Sequence, residues 1–330
     1  MKAMVLAAGL GTRLKPITFE IPKPMVPVLG RPVMAHILRL LERQDFDEVI
    51  ANLHHFPETI RDYFGDGIEY RNEEELLGTA GGVRNVADFF GDDPIVVVSG
   101  DALTDLDLRA LVDRHRSAGG IATLTVKKVS DTREYGVVIH DSEGRIQGFQ
   151  EKPEPAEALS DLGNSGIYCF DREIFDYFPD RPFVDWAADV FPQLLAHDVP
   201  FFVHEIEDYW NDVDSLEELR QGTFDALEGR LGLDISGEEI QPGVIVGEGS
   251  SLDGLAQIDP PVWIGAGCEL GEGGRLMGPV VIGDGSKVGP EAALRNSIVF
   301  PGGEVEPGAI LIAAIFGRAG IVDGMRRIGS

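Results

Sequence analysis

Residues 1–16 read MKAMVLAAGLGTRLKP, and residues 22–27 read PKPMVP. The apolar run has the length of a buried strand, and the glycines of the GLG segment follow it directly. Glycine lets backbone N–H groups approach a phosphate closely because it has no Cβ. Arg13 and Lys23 can add positive charge to the same ligand. The stretch therefore predicts a first strand that ends in a triphosphate-binding loop.

Two better-known phosphate-binding loops do not match this spacing. The P-loop needs Gly-x4-Gly-Lys followed by Ser or Thr, and residues 9–13 do not supply that pattern. The dinucleotide-binding fingerprint needs a third glycine where Leu14 stands. The loop therefore belongs to a different class of nucleotide site.

Composition limits the partners of the chain. Its 330 residues are enough for two domains, and its 28 basic and 56 acidic side chains give a formal net charge of −28. Because such a field repels polyanions, we expect no nucleic-acid partner and no membrane partner. A phosphate site must then be locally basic or use a bound cation. Only two cysteines occur and no apolar run has transmembrane length, so we expect a cytoplasmic protein.

The first 230 residues alternate strand-like and helix-like segments. This alternation predicts an α/β domain, with a Rossmann-like, mostly parallel sheet covered by helices. Asp214 or Ser215 is expected to cap the last helix, and the glutamates at 73–75 are expected on a solvated face. The strand candidates are Val49–Leu53, Ile95–Val98, Ala122–Val126 and Gly166–Phe170, and the helix candidates are Val33–Gln44, Thr79–Phe89, Leu106–Ser117 and Ser215–Leu227.

A repeat of six residues replaces the helical pattern after Gly229. Small or β-branched residues mostly stand two positions before each repeated apolar residue, and a period of six is typical of a parallel β-helix. The sequence therefore predicts a first domain at 1–230, a linker at 231–239, a β-helix at 240–316 and an irregular tail at 317–330. The repeated apolar residues are Ile240, Val246, Leu252, Ile258, Ile264, Leu270, Leu276, Ile282, Val288, Leu294 and Phe300.

The Gly-x-Gly-Thr-Arg loop and the Pro-Lys-Pro block together resemble the signature of the sugar-1-phosphate nucleotidyltransferases, the NDP-sugar pyrophosphorylases. The resemblance covers nearly the whole chain, since the six-residue repeats resemble the left-handed β-helix that many of these enzymes carry at the C-terminus. It implies transfer of a nucleotidyl group from an NTP to a sugar 1-phosphate, release of pyrophosphate, and Mg²⁺ as cofactor.

The resemblance also implies which residues bind the nucleotide. Residues 77–82 read LGTAGG and match the loop that reads the nucleobase. This sequence most resembles that of the mannose-1-phosphate guanylyltransferase branch, so GTP and mannose 1-phosphate are the expected substrate pair. The alternatives are glucose 1-phosphate with dTTP or UTP, a heptose phosphate with GTP, and a non-catalytic regulatory relative. The implied nucleotide-binding residues are Leu6, Ala8, Gly9, Gly11, Thr12, Arg13, Gly78 and Thr79.

The implied catalytic residues are Arg13, Lys23 and Asp101, and the implied metal ligands are Asp101 and Asp212. Asp101 follows an apolar strand, where an open α/β sheet faces its ligand crevice. The family motif continues Trp-x-Asp-x-Gly, whereas Asp214 occupies the glycine position here. Sugar hydroxyls are expected to contact Gly136, Glu151 and Asn164, and the sugar phosphate is expected to contact Lys152.

The β-helix is expected to be structural or regulatory. Hexapeptide acyltransferases commonly use a histidine base, and the last histidine of this chain is His204, before the repeats. A second, acyltransferase activity is the alternative. Because flat β-helix faces readily pack against another subunit, we expect a homo-oligomer that forms through this domain.

Overall fold

The computed structural model describes residues 1–252, 254–317 and 320–328, with side chains as far as Met325. The chain forms two compact units, the first made of residues 1–10 and 37–212 and the second of residues 11–36 and 213–330. The predicted linker at 231–239 lies within the second unit, to which residues 11–36 also belong. Within the second unit, a Cβ on Gly30 would lie 2.8 Å from the Trp263 ring.

The strands of the described residues are numbered along the chain. They are β1 Lys2–Leu6, β2 Pro27–Val28, β3 Arg31–Pro32, β4 Glu48–Leu53, β5 Glu69–Asn72, β6 Ile95–Ser99, β7 Ala102–Thr104, β8 Ala122–Lys128, β9 Gly136–His140, β10 Ile146–Glu151, β11 Leu162–Phe170, β12 Phe202–Glu205, β13 Trp210–Asp212, β14 Glu238–Gln241, β15 Val244–Val246, β16 Gln257–Asp259, β17 Val262–Ile264, β18 Glu269–Leu270, β19 Arg275–Ile282, β20 Lys287–Val288, β21 Ala293–Val299, β22 Glu304–Val305, β23 Ala309–Gly317 and β24 Gly320–Ile328.

The α-helices are numbered in the same way, and short 3₁₀ and π segments lie between them. The α-helices are α1 Val33–Arg43, α2 Pro57–Phe64, α3 Gly78–Arg84, α4 Ala87–Phe90, α5 Leu108–Ala118, α6 Phe191–Ala196 and α7 Leu216–Leu227. The 3₁₀ segments are Thr12–Leu14, Ile17–Phe19, Lys23–Met25, Thr132–Glu134 and Arg172–Tyr177, and Trp186–Val190 is a π-helical turn. Within the described residues, no helix has both the length and the apolar character needed to cross a lipid bilayer.

The first unit is built on one mixed sheet, with strand order β10-β9-β11-β6-β1-β4-β5 and with β8 between β11 and β12. The predicted parallel part is present, because β1 pairs in parallel with both β4 and β6. The sheet departs from a mostly parallel one at β11, which runs antiparallel to β6, β8 and β9. The α/β class is confirmed, and the parallel strands place their carboxyl ends at one edge.

Local capping explains where two helices begin. The Asp107 carboxylate accepts the backbone N–H of Ala110 at the start of α5. Ser215 caps α7, since its hydroxyl accepts the backbone N–H of Glu218. Side-chain oxygens at this position satisfy N–H groups that have no partner inside the helix. The helix predicted at 79–89 is instead two short helices, α3 and α4, with a turn at residues 85–86.

The second unit contains parallel strands in a regular register. Val244 faces Val262, and Val262 faces Val280, which is a spacing of 18 residues or three hexads. This register fits the predicted β-helix. The spacing then falls to 17, because Val281 faces Ile298 and Ile298 faces Ile315. One residue less in this turn moves the buried positions out of the six-residue phase before Phe300. Val299, and not the predicted Phe300, faces Ile282.

The ends of the repeat region differ from the sequence prediction. Ile240 is 51% exposed, so the first hexad does not bury its apolar residue. At the other end, β23 continues to Gly317 and β24 pairs antiparallel with it. Most of the tail predicted as irregular is therefore a strand. Its pairing satisfies the backbone groups that the last parallel strand would otherwise leave open at the sheet edge.

Candidate functional site

The predicted metal ligand Asp101 lies just beyond the carboxyl end of β6. The hydroxyl of Ser99 donates a hydrogen bond to the Asp101 carboxylate. Between them, the backbone N–H of Gly100 donates to the carbonyl of Leu6 at 2.9 Å. A Cβ on Gly100 would lie 2.8 Å from that same oxygen, so glycine is required for this close approach. The ends of β1 and β6 therefore lie side by side, with Asp101 just beyond them.

The second predicted ligand, Asp212, is brought next to Asp101 by a short antiparallel pair. Asp212 faces Ala102 in the pairing of β13 with β7, and Ala102 follows Asp101 directly. On the same strand, the Trp210 indole packs against the Tyr135 ring with centroids 5.4 Å apart. The strand pairing thus brings together two aspartates that are 111 positions apart in the sequence.

A pair of carboxylates is a typical protein contribution to a Mg²⁺ site, whereas a metal site made only of protein side chains needs more ligands. Among the residues that the structure describes, no group of three or more His, Cys, Asp or Glu side chains could hold a metal ion. Mg²⁺ is usually bound through one or two carboxylates together with substrate phosphates and water. The donor set of Asp101 and Asp212 therefore fits Mg²⁺ that arrives with a triphosphate.

Residues 184–186 pack against the loop predicted to read the nucleobase and hold it in place. Gly78 has φ +77, and a Cβ on it would lie 2.4 Å from the carbonyl oxygen of Val184. The Thr79 hydroxyl donates to Asp185 at 2.8 Å and accepts the backbone N–H of Trp186 at 3.2 Å. Both residues thus have structural roles that are independent of any base. Thr79 does not cap α3, since that helix begins at Gly78 without a side-chain cap.

A buried polar network connects the end of β1 to the same loop. Asn52 accepts the backbone N–H of Ala7 at 2.9 Å and donates to the carboxylate of Glu73 at 2.7 Å. The other oxygen of Glu73 accepts the backbone N–H of Leu77 at 3.0 Å. Glu73 is buried, which corrects the prediction of a solvated face. A Cβ on Gly82 would lie 2.8 Å from the Asn52 amide nitrogen, so this glycine makes room for the network.

Sequence reasoning missed this network because its members are distant in the chain. One signal was present: Asn52 is a polar residue inside the apolar run of β4. For Asp185, which holds Thr79, the local sequence carries no comparable signal. Such partners become visible only when the fold brings the segments together.

Three of the predicted sugar-binding residues lie at the start or end of neighbouring strands. Glu151, at the end of β10, faces Gly136 at the start of β9. A Cβ on Gly136 would lie 3.4 Å from the Glu151 carboxylate, which is van der Waals contact. Lys152 follows with φ +45, and its N–H donates to the carbonyl of Tyr135 at 3.2 Å. The turn therefore fixes the backbone from which the Lys152 side chain starts.

The predicted sugar ligand Asn164 lies on β11 and is held by its own strand. Its side-chain oxygen accepts the N–H of Gly166 at 3.1 Å, and its amide nitrogen donates to the Tyr168 hydroxyl at 3.0 Å. Burial raises the pKa of Tyr168, so this hydroxyl stays protonated. These two contacts fix the orientation of the Asn164 amide, which still has capacity for a further hydrogen bond on each side.

Beyond β1, the predicted nucleotide-binding residues fall in both units. Ala8 is buried and Gly9 is exposed in the first unit, where a Cβ on Gly9 would meet no protein atom within 4 Å. Gly11 belongs to the second unit and has φ +60. A Cβ on Gly11 would lie 2.9 Å from the Cβ of Lys23. Glycine at position 11 is therefore required by packing as well as by the backbone conformation.

The two predicted phosphate-binding cations share one carboxylate within the second unit. The Lys23 ammonium lies 2.8 Å from the Asp214 carboxylate, and the Arg13 guanidinium contacts the other oxygen of the same group. Thr12 and Arg13 stand in the 3₁₀ turn Thr12–Leu14, whose Leu14 is buried. The loop and the Pro-Lys-Pro block thus place these two cations on the same carboxylate.

Comparison with known proteins agrees with this arrangement. The chain is 42% identical over 267 residues to a UTP–glucose-1-phosphate uridylyltransferase of Synechocystis, across 75% of this chain and 69% of the relative. It is 35% identical over 282 residues to a mannose-1-phosphate guanylyltransferase of Mycobacterium tuberculosis, across 76% of this chain and 78% of the relative.

Solved structures and family models give the same assignment. A candidate glucose-1-phosphate thymidylyltransferase of Bacillus anthracis superposes with a TM-score of 0.62 at 26% identity, across 71% of this chain and 97% of that structure. Residues 2–228 match the model of the nucleotidyl transferase family. From residue 2 to residue 228, across the N-terminal loop, Asp101 and Asp212, this chain belongs to the nucleotidyl transferase family and is an enzyme of that class.

Proposed function

We propose that the enzyme transfers a nucleotidyl group from an NTP to a sugar 1-phosphate and releases pyrophosphate. The pairing of β13 with β7 carries the proposal, because it brings Asp101 and Asp212 together at the edge where β6 ends. The relatives named above are sugar-1-phosphate nucleotidyltransferases, which supports the same reaction class.

The proposed chemistry needs alignment and charge neutralisation more than acid–base catalysis. An oxygen of the sugar phosphate attacks the α-phosphorus in line, a new P–O bond forms, and the bond to pyrophosphate breaks. Because the nucleophile is already an anion, no general base is required. Arg13 and Lys23 would stabilise charge on the triphosphate, and Lys152 would hold the acceptor phosphate. Asp101 and Asp212 would hold Mg²⁺, which neutralises charge on the phosphate oxygens.

The substrate pair is less constrained than the reaction. The sequence of residues 77–82 favours GTP with mannose 1-phosphate. However, Gly78 and Thr79 have packing roles that do not depend on the base, so they are weak evidence for guanine. The relative at 42% identity is named for UTP and glucose 1-phosphate. We therefore propose UTP with glucose 1-phosphate as the preferred pair. GTP with mannose 1-phosphate is the second candidate, supported by the relative at 35% identity.

A pyrophosphate-release assay tests both the reaction and the pair. The purified chain is incubated with UTP, GTP, dTTP, ATP and CTP, each combined with glucose, mannose and heptose 1-phosphate. We expect kcat/KM for UTP with glucose 1-phosphate to exceed every other pair by about tenfold or more, a typical discrimination when a site hydrogen-bonds one base edge. A preference for GTP with mannose 1-phosphate selects the second candidate, and absence of turnover with every pair contradicts the reaction itself.

We also propose that the chain forms a homo-oligomer through the second unit. The apolar side chains of Ile312, Ile321 and Met325 are exposed on the last two strands of that unit, where Ile312 faces Met325. A second copy that covers such a patch removes apolar area from water. Light scattering at micromolar concentration is expected to give a multiple of 35.8 kDa. A mass equal to one chain would exclude a stable oligomer.

A further inference from the structure

Asp214 stands where the family motif has glycine, and it is the carboxylate that both predicted phosphate-binding cations contact. We propose that Asp214 is a positioning residue for Lys23 and an internal competitor of the triphosphate for Arg13. The inference rests on the proposed function, because it takes Arg13 and Lys23 as the cations that bind the triphosphate.

The two ion pairs differ in exposure, which decides how each responds to a phosphate. The Lys23 and Asp214 side chains are 9% and 16% exposed, whereas the Arg13 side chain is 53% exposed. Separating a nearly buried pair leaves an uncompensated charge and is strongly unfavourable. An exposed pair is weak and exchanges readily. Lys23 therefore stays with Asp214 when a phosphate binds, while Arg13 leaves the carboxylate for the ligand.

Both ends of the Lys23 side chain are held in the second unit. Near the backbone, the Cβ of Lys23 packs against Gly11. A Cβ added to Gly11 would lie 2.9 Å from the Lys23 Cβ. At the far end, the ammonium donates to Asp214 at 2.8 Å. A flexible lysine loses much rotamer freedom when it is fixed in this way, so a pre-formed position removes part of the entropic cost of phosphate binding.

Helix capping does not account for Asp214. The adjacent Ser215 caps α7 by accepting the N–H of Glu218 at 3.1 Å. The carboxylate of Asp214 is instead directed to the two cations, one on each oxygen. Its charge therefore acts on the phosphate-binding loop and is not needed to start the helix.

The experiment measures binding of inorganic triphosphate by calorimetry, and kcat and KM by pyrophosphate release, in the full chain. Asp214→Asn is expected to tighten triphosphate binding about threefold to fivefold, the range of an exposed ion pair, because Arg13 no longer has an internal partner. It is expected to lower kcat about tenfold, because the Lys23 ammonium loses its ion pair with Asp214. Asp214→Glu, which keeps the charge, is expected to recover most of kcat.

Two controls separate competition from a general loss of negative charge. In the Arg13→Ala background, Asp214→Asn is expected not to tighten triphosphate binding, because only the positioning of Lys23 is then lost. Asp225→Asn removes a carboxylate of similar burial on α7 that pairs with Arg230 at 2.9 Å, and it is expected to leave the triphosphate Kd within twofold. If Asp214→Asn unfolds at the assay temperature, Asp214→Gly takes its place with the same expected results.

If Asp214→Asn binds triphosphate no more tightly than the wild type, Asp214 does not compete with triphosphate for Arg13. The same follows if Asp214→Asn tightens triphosphate binding equally in the Arg13→Ala background. An unchanged kcat overturns the positioning of Lys23. Failure of the proposed function gives a different result, since the wild-type chain then releases no pyrophosphate with any substrate pair. The triphosphate Kd values of the wild type and Asp214→Asn still show whether Asp214 competes with triphosphate for Arg13.

Discussion

Lys23→Ala and Arg13→Ala are each expected to lower kcat/KM about a hundredfold or more. Removing one cation that stabilises the transferring phosphoryl group costs about 2–4 kcal/mol in the transition state. The Lys23 effect should be the larger of the two, since its ammonium is nearly buried beside Asp214 whereas the Arg13 side chain is half exposed. Steady-state pyrophosphate release, with saturating sugar phosphate, measures the loss.

Lys287→Ala is the matched control for the Lys23 variant. This lysine also belongs to the second unit and pairs with Glu269 at 3.6 Å, but it lies on β20 of the repeat region. Its replacement should leave kcat/KM within twofold, because an exposed pair contributes little. Thermal unfolding of each variant shows whether the chain is still folded. A folded Lys23→Ala variant with near wild-type turnover would exclude Lys23 from the site.

The second large effect concerns the paired carboxylates. Asp101→Asn and Asp212→Asn are each expected to abolish most activity and to raise the Mg²⁺ concentration needed for half-maximal rate. An amide keeps the shape of the side chain but loses the charge that a hard cation requires. The double variant should lose far less than the two single losses combined, because both residues act on the same ion. A magnesium titration of all four proteins gives the comparison.

Asp88→Asn is the control for charge removal in the first unit. Its carboxylate is exposed and pairs with Arg71, whose hydrogen bond lowers the pKa of Asp88. Activity and magnesium dependence should match those of the wild type. Full activity of either Asp101→Asn or Asp212→Asn in the presence of EDTA would contradict a carboxylate-bound cation.

Periodic and local features of the fold were predictable from the sequence. The apolar runs of β1, β4 and β6 reflect strands that are buried on both faces. The six-residue repeat reflects one inward-facing position in each hexad, and a linear pattern records both features directly. Ser215 was one of two expected caps because its side chain acts within one turn of the chain. The α/β core followed from these patterns.

The supporting contacts of the site were not predictable in the same way. Glu73 reads as one of three solvated glutamates, yet it is buried because Asn52 and the N–H of Leu77 satisfy its carboxylate. The two ion pairs of Asp214 likewise join residues that are 191 and 201 positions apart. Such partners are set by topology, and a single sequence does not show which polar residues will meet.

The division of the chain into units has a consequence for protein engineering. Residues 11–36, which carry Arg13 and Lys23, group with residues 213–330, and Gly30 packs against Trp263 of the repeat region. A single crossover near residue 230 would therefore join a phosphate loop from one parent to a repeat region from another. Chimeras with related enzymes need a two-segment exchange, in which residues 11–36 are transplanted together with the C-terminal part.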